Sequence, residues 1–320
     1  MHIPSQSTRP AATVHRKYDA LIARCQAHPA ATVAVAHPCD ETSLRAAIDA
    51  ARAGLIEPVL IGPAARIDAL AATLGIDLSR YRRVDAPHSH AAAALAVELV
   101  RSGDAQALMK GSLHTDELLA AVVSPDSGLR TGRRLSHVFV MDVPTYPKPL
   151  FITDAAVNIR PTLEHKAEIV QNAIDLAHTL GVDTPKVAIL SAVETVTSKL
   201  PSTLDAAALC KMAERGQITG AQLDGPLAFD NAINPEAARI KHLGSNVAGH
   251  ADILLTPDLE AGNMLAKELT FLANADAAGV VLGARVPIIL TSRADSERTR
   301  LASCAVAVLV AHASNARAGA

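Results

Sequence analysis

The chain has 320 residues, 49% of them apolar, with a formal net charge of −2 and only 2% aromatic residues, none of them tryptophan. So long and apolar a chain exceeds what one hydrophobic core usually organises, and two domains are expected. The near-neutral charge and the scarcity of aromatics exclude the basic field and the stacking platforms on which nucleic-acid binding relies.

A polar N-terminal helix comes first. TVAVA then leads into the helix DETSLRAAIDAARAG, EPVLIG into PAARIDALAATLG, YRRVDAP into HSHAAAALAVELVRSG, and AQALMKG into HTDELLAAVV. Short apolar runs, each followed by a helix of period near 3.6, are the pattern of parallel strands covered by helices, so the class is α/β. Asp40 is placed to cap the first of these helices and Gly54 to close it; Pro63 falls in the first turn of the next, with Gly75 beyond its end.

At Ser124 the rhythm changes. SPDSGLRTGRR is a loop, and SHVFVMDV and PLFITD are two strands joined by PTYPK, whose prolines rule out a helix. Alternation resumes at Thr162 with the helix TLEHKAEIVQNAIDLAHTLG, the strand KVAILS, the helix PSTLDAAALCKMAERG, the strand AQLDG, the helix PEAARIKHLG, the strand ADILLTP and the helix EAGNMLAKELTFLANA. Two further strands and the helix AVAVLVAHA complete the chain. Boundaries near Thr153 and Ala277 give a discontinuous first α/β domain, 1–153 and 278–320, and a second, 154–277, inserted into it. The expected architecture is two parallel-rich sheets covered by helices with a cleft between them, where ligands meet the carboxyl ends of strands.

The apolar run closest to a membrane span, GVVLGARVPIIL, is broken by Arg285 and Pro287. The N-terminus has no apolar stretch behind a basic start, so no export signal is read and a cytoplasmic location is expected. Cys25, Cys39, Cys210 and Cys304 lack CxxC spacing, which argues against a zinc site or a disulfide framework. Cys210 and Cys304 fall in Ala-rich helices and read as inert thiols. His88 and His90 open a helix with no carboxylate or cysteine at ligand spacing, so no metal is expected there.

Several strand ends carry more polarity than folding needs. IILTSRADSERTR, from Ile288 to Arg300, passes from core strand to hydroxyls and charges within three residues. A strand running into a helix start offers free N–H groups and a positive dipole end, and beside Arg293 they would attract an anion. An ordinary turn with Asp295 or Ser296 as helix cap writes the same letters. LMKGSLHT places Lys110, Gly111 and Ser112 after another strand, a mobile charge next to a glycine that permits close backbone approach to a ligand. QLDGPLAFDNAI offers Asp224, Asp230 and Asn231 around a turn; NVAGHADILLTPDLEAGN offers His250, Glu260, Gly262 and Asn263; TDAAVNIRPTLEHK presents Asn158 and Arg160 before a capped helix. The dinucleotide fingerprint GxGxxG and the phosphate loop GxxxxGK[ST] are both missing.

Taken in order, MKGSLHT, TDAAVNI, QLDGPLAFDNAI, VAGHADILLTPDLEAGN and PIILTSRADS resemble the phosphate acetyltransferase and phosphate butyryltransferase family, in detail from about Lys110 to the C-terminus. The resemblance implies a two-domain α/β enzyme of isocitrate/isopropylmalate dehydrogenase-like architecture. It implies a homodimer that moves a short acyl group, acetyl or butyryl, between coenzyme A and inorganic phosphate. Coenzyme A is then a substrate, and no cofactor is bound permanently. In this family a Ser-Arg pair after the late strand lies at the active site, which maps onto Ser292 and Arg293.

Such a reaction needs fixed donors, because phosphate attacking a thioester repels the oxyanion it creates. A guanidinium at Arg293 suits the phosphate, and Ser292 suits either the phosphate or the oxyanion. The acetyl branch carries an aspartate seven residues after the serine and arginines at two further positions; here those places hold Thr299, Ala120 and His250. Asp295 replaces the missing acid as candidate base by proximity, and the departures look closer to the butyryl branch. Two other readings stand beside this one. A metal-dependent decarboxylating dehydrogenase of related fold would require a DxxxD pair, which is absent. The other is a non-catalytic protein that senses acyl phosphate or coenzyme A.

Overall fold

The computed structural model describes residues 17–291 and 295–318. Helix α1 (Lys17–Gln26) precedes four strand–helix units: β1 (Ala31–Ala36) with α2 (Glu41–Arg52), β2 (Ile56–Gly62) with α3 (Ala64–Leu74), β3 (Arg82–Asp85) with α4 (Ser89–Ser102), and β4 (Ala107–Lys110) with α5 (Thr115–Val123). The hairpin strands β5 (Ser136–Asp142) and β6 (Leu150–Thr153) follow, then α6 (Leu163–Thr179), β7 (Lys186–Leu190), α7 (Pro201–Glu214) and β8 (Gln222–Leu227). Two short helices, α8 (Phe229–Ile233) and α9 (Pro235–Ile240), lead to β9 (Ile253–Leu255), α10 (Leu259–Leu272), β10 (Asp276–Leu282), β11 (Ile288–Ile289) and α11 (Glu297–Ala318).

Local chemistry sets most of these limits. Asp40 caps α2 by accepting from the Ser43 N–H at 2.8 Å, and Thr162 caps α6. Gly75 closes α3 in the left-handed conformation, while Pro63 is itself the residue before the first turn. Two elements differ from the sequence reading. Helix α8 is too short to show a period, and α11 begins at Glu297 rather than Ala305 because its first turns are polar.

Among the described residues, eleven strands join one mixed sheet in the order β3-β2-β1-β4-β11-β10-β5-β6-β9-β7-β8. From β3 to β11 the strands are parallel. Beyond the hairpin, β6, β9, β7 and β8 are parallel to one another. Because β11–β10, β10–β5 and β5–β6 all pair antiparallel, three reversals leave the second parallel group running opposite to the first. Strands β10 and β11 return from the far end of the sequence to lie between β4 and β5.

The two faces are covered unequally. On one, α1, α2, α3, α6, α7 and α11 form a continuous layer over Val33, Val35, Val138, Val140, Val187 and Val280. On the other, α4 and α5 cover the first parallel group, and α8, α9 and α10 cover the second. Between those two blocks the sheet floor at β5 and β10 is left with a gap.

Beneath that floor the phenol of Tyr18 is inserted into the sheet. Its hydroxyl donates to Val140 O at 2.5 Å and accepts from Ala278 N at 2.5 Å, bridging residues that face each other in the β5–β10 ladder. Burial raises the Tyr18 pKa well above its ordinary value, so the hydroxyl keeps the proton that this bridge needs. Tyr18→Phe strands a buried carbonyl and a buried amide and is expected to cost about 1–3 kcal/mol. Equilibrium urea unfolding of the two proteins checks this; an unchanged midpoint would mean that β5 and β10 close on each other unaided.

Candidate active site

The gap in the helical cover is a cleft of about 720 Å³. One side is the start of α2 with the residues after β4; the other is α10; the floor is β5 and β10, and the rim is the turn into α11. Of the residues singled out from sequence, Lys110, Gly111, Asn263 and Asp295 meet on its lining. Lys110 Nζ donates to Gly111 O and Leu113 O, each at 3.1 Å, which holds the ammonium over the β4 turn. Asn263 Nδ2 donates to Ala155 O at 3.0 Å and ties α10 to the segment after β6.

Gly111 serves a different neighbour from the one its sequence context suggests. A Cβ there would stand 2.4 Å from Ala36 O and 2.5 Å from His37 O, so the close approach it permits is to the end of β1. Ser112 is committed to the same turn: its hydroxyl donates to His37 O at 3.0 Å and accepts from Cys39 N at 3.2 Å.

Ser292 and Arg293 lie outside the described residues. Thr291 and Asp295, which flank the undescribed segment 292–294, both line the cleft. Of the two capping candidates, Ser296 caps the start of α11, its Oγ accepting from Thr299 N at 3.1 Å. Thr299, at the position where the acetyl branch has its acid, is buried and faces Asp276, with 3.3 Å between Thr299 Oγ1 and Asp276 Oδ1. A carboxylate therefore still stands beside that position, supplied by β10.

The structure does not bring Asp224, Asp230, Asn231 or His250 to this cleft. Asp224 lies on edge strand β8, seven strands from β4 in the sheet, roughly 33 Å at the usual strand spacing, and its Oδ1 accepts from Gly225 N at 2.8 Å. Asn231 is buried and donates to Glu194, while Asp230 is exposed on α8. His250 is exposed, and its carbonyl accepts from Lys148 Nζ at 2.7 Å. Opposite strand directions separate these residues from Lys110, since the carboxyl ends of the two parallel groups point to opposite ends of the sheet. Asn158 is buried and held by Leu135 O and the Asp154 carboxylate. Ala120 lines a second cavity of about 670 Å³, with Arg130, Arg133 and Arg134. Arg133 is paired with Asp175, and Arg134 with Asn158 and His165.

Among the cleft residues that sequence did not single out, a histidine stands apart. His137, on β5, is 2% exposed yet lines the cleft, edge-on to Phe139 with ring centroids 4.3 Å apart. Its Nδ1 is buried without a hydrogen-bond partner. Burial pushes its pKa from 6.5 down to about 4, with the Asp154 carboxylate pulling the other way. The signal was present in SHVFVMDV, where the alternation of the strand puts a histidine on the face shared by Phe139 and Met141.

Cysteines take no part. Burial pushes the thiols of Cys210 and Cys304 up to about 12, far from nucleophilic. His88 caps α4, accepting from Ala91 N at 3.2 Å. Among the described residues no group of three or more His, Cys, Asp or Glu is arranged to hold a metal ion, and no described helix is long and apolar enough to cross a membrane.

Residues 88–308 match the family model described as "Phosphate acetyl/butaryl transferase". The chain belongs to this family. A phosphate acetyltransferase of Rhizobium meliloti is 68% identical over 92% of this chain and 93% of its own. A phosphate butyryltransferase of Clostridium acetobutylicum is 42% identical over 92% of this chain and 98% of its own. The crystal structure of a branched-chain phosphotransacylase from Enterococcus faecalis V583 superposes with a TM-score of 0.76 at 31% identity, covering 88% of this chain and 99% of the other. The protein is thus an acyltransferase of the phosphate-acyltransferase type, and the dehydrogenase and non-catalytic readings are not favoured.

The buried imidazole makes stability depend on pH. His137 takes a proton near pH 6.5 in the unfolded chain but only near 4 in the fold, so the unfolded state binds more protons between those values. Its contribution is complete above about pH 6.5 and is lost as pH falls towards 4, in total roughly 3 kcal/mol. Urea unfolding at pH 7, 5.5 and 4.5 should show this decline, and His137→Gln should flatten it.

Proposed function

We propose that the protein transfers an acetyl group between coenzyme A and inorganic phosphate in the cleft between α2 and α10. The observation that carries this is the meeting of Lys110, Asn263 and Asp295 on one cleft lining with Thr291, so that both flanks of the Ser292–Arg293 pair border the same space. Arg293 receives phosphate through its planar fork, and the ammonium of Lys110, at the end of the strand paired with β11, adds a second positive charge. Fixing phosphate against the thioester carbonyl replaces a bimolecular encounter by a positioned one. A volume of about 720 Å³ lies within the range of small-molecule sites and leaves room for the acyl end of a thioester.

Acetyl is preferred to butyryl because the similarity to the Rhizobium acetyltransferase, at 68%, far exceeds that to the Clostridium butyryltransferase, at 42%. This outweighs the butyryl-like substitutions at Ala120, His250 and Thr299. Coenzyme A enters as substrate, with no permanently bound cofactor. The protein acts as a cytoplasmic homodimer, and residues 154–277 form an inserted lobe whose movement against the rest opens the cleft.

Two measurements test this reading. Phosphate-dependent release of thiol, followed across acetyl-, propionyl- and butyryl-CoA, should give the highest kcat/KM with acetyl. One added methylene should cost about 10-fold or more, the usual worth of a methylene in a fitted pocket. Arg293→Ala should raise the KM for phosphate at least tenfold while leaving the melting temperature unchanged; a normal phosphate KM would remove the arginine from the site.

A further inference from the structure

The ring of His137 is placed as a site component for which the reaction as described so far has no use. It stands on the cleft floor, 98% of it covered by protein, with Nδ1 making no hydrogen bond. A buried polar group left unpaired costs about 1–3 kcal/mol, so its retention calls for a compensating role. The room for the ring comes from Gly279 on the neighbouring strand β10: a Cβ there would stand 2.8 Å from His137 Nε2. The ring is fixed on its other side by Phe139, and its backbone carbonyl accepts from Thr153 Oγ1 at 2.9 Å.

Tautomer follows from the surroundings. An orphaned N–H in an apolar wall costs more than an orphaned acceptor lone pair. Nδ1, enclosed and unpaired, is therefore the bare nitrogen, and the proton sits on Nε2. The ring stays neutral at physiological pH because its pKa lies near 4. The charged and titratable groups of the same lining, Asp40 before α2, Lys110 on β4, His114 before α5, Lys267 on α10, Asp276 on β10 and Asp295 before α11, together with buried Asp154 after β6, are of both signs and do not reverse this.

We propose that the neutral Nε2–H of His137 is a catalytic hydrogen-bond donor to the acyl carbonyl oxygen, a side-chain component of the oxyanion site in the cleft. The inference rests on the acyl-transfer reading of that cleft. A phosphate oxygen forms its bond to the carbonyl carbon while the carbonyl electron pair moves to oxygen, where Nε2–H meets the negative charge. The oxyanion then collapses, the C–S bond breaks, and the thiolate of coenzyme A leaves with the electron pair. The proton remains on Nε2 throughout, so the donor is ready in either direction of the reaction. A neutral donor suits this chemistry because, unlike a cation, it does not hold the incoming phosphate dianion away from the carbon. Removing one such donor typically lowers kcat by about 10²–10³-fold.

His137→Leu and His137→Gln, assayed with acetyl-CoA and phosphate, separate this role from two others. The leucine variant should lose about 100-fold in kcat with KM for both substrates within twofold, the mark of an interaction made only in the transition state. The glutamine variant, whose Nε2 reaches nearly the same point and donates, should recover at least tenfold of that loss. The wild-type kcat should show no limb between pH 5.5 and 8 that vanishes in the glutamine variant. A leucine variant that folds, by circular dichroism and melting temperature, yet turns over at the wild-type rate would overturn the proposal. So would a glutamine variant as slow as leucine together with a lost pH limb, since that is the behaviour of a proton-transfer base. If the leucine variant does not fold, the glutamine comparison and its pH profile decide alone. Absence of wild-type turnover with any acyl-CoA would instead remove the acyl-transfer reading itself.

Discussion

The reversal of strand direction across β10, β5 and β6 governs the architecture of the molecule. Two parallel groups, each needing helices on both faces, meet there head to tail within one sheet. Parallel strands must be covered because their crossovers carry helices to the faces. At the junction the connections are a hairpin and a return pair, which carry no helix over the floor. One face is closed by the long central helix α11 and its neighbours; on the other, the blocks formed by α4 and α5 and by α8 to α10 stop short of each other. The cleft is what remains.

This origin explains the character of its walls. The floor is strand, so it is rigid, and its side chains are those that alternate outward from β5 and β10: His137, Phe139 and Ala277. Tyr18 braces the same two strands from beneath, by a phenol set into their ladder. The walls are turns and helix ends, where charge is cheap to display: Lys110 above β4, Asn263 on α10, Asp295 before α11. On the proposed reading of this cleft, acyl transfer to phosphate would use that division, with a fixed floor to orient a carbonyl and a polar rim to hold an anion.

Charge around the cleft is balanced rather than uniformly positive. Thr299 replaces an acid, yet Asp276 stands 3.3 Å from its hydroxyl, so loss of a carboxylate from α11 is offset by one from β10. The guanidiniums of Arg133 and Arg134, by contrast, are bound to Asp175, Asn158 and His165 around a separate cavity and serve to fasten α6 to the loop before β5.

Local order was legible from the letters alone. Asp40, Thr162 and Gly75 mark helix ends because capping is decided within four residues, and the alternation of apolar runs with amphipathic ones identifies an α/β chain. The ordered motifs from Lys110 onward likewise carry the family resemblance, since each is a contiguous stretch. Strand direction is a different kind of quantity. Nothing in QLDGPLAFDNAI states that β8 runs against β4 and lies at the edge of the sheet, so Asp224, a candidate binding residue like Lys110, proves to lie seven strands from it. Gly111 looked outward to a ligand but makes way for the carbonyl groups of Ala36 and His37, distant in sequence and brought close only once β1 and β4 pair. His137 lay unmarked in an apolar strand, because burial and an unpaired nitrogen are properties of packing. Sequence determined the elements and their chemistry; the pairing of distant strands decided which of those groups share a cleft, since that depends on hydrogen bonds between segments that no local pattern records.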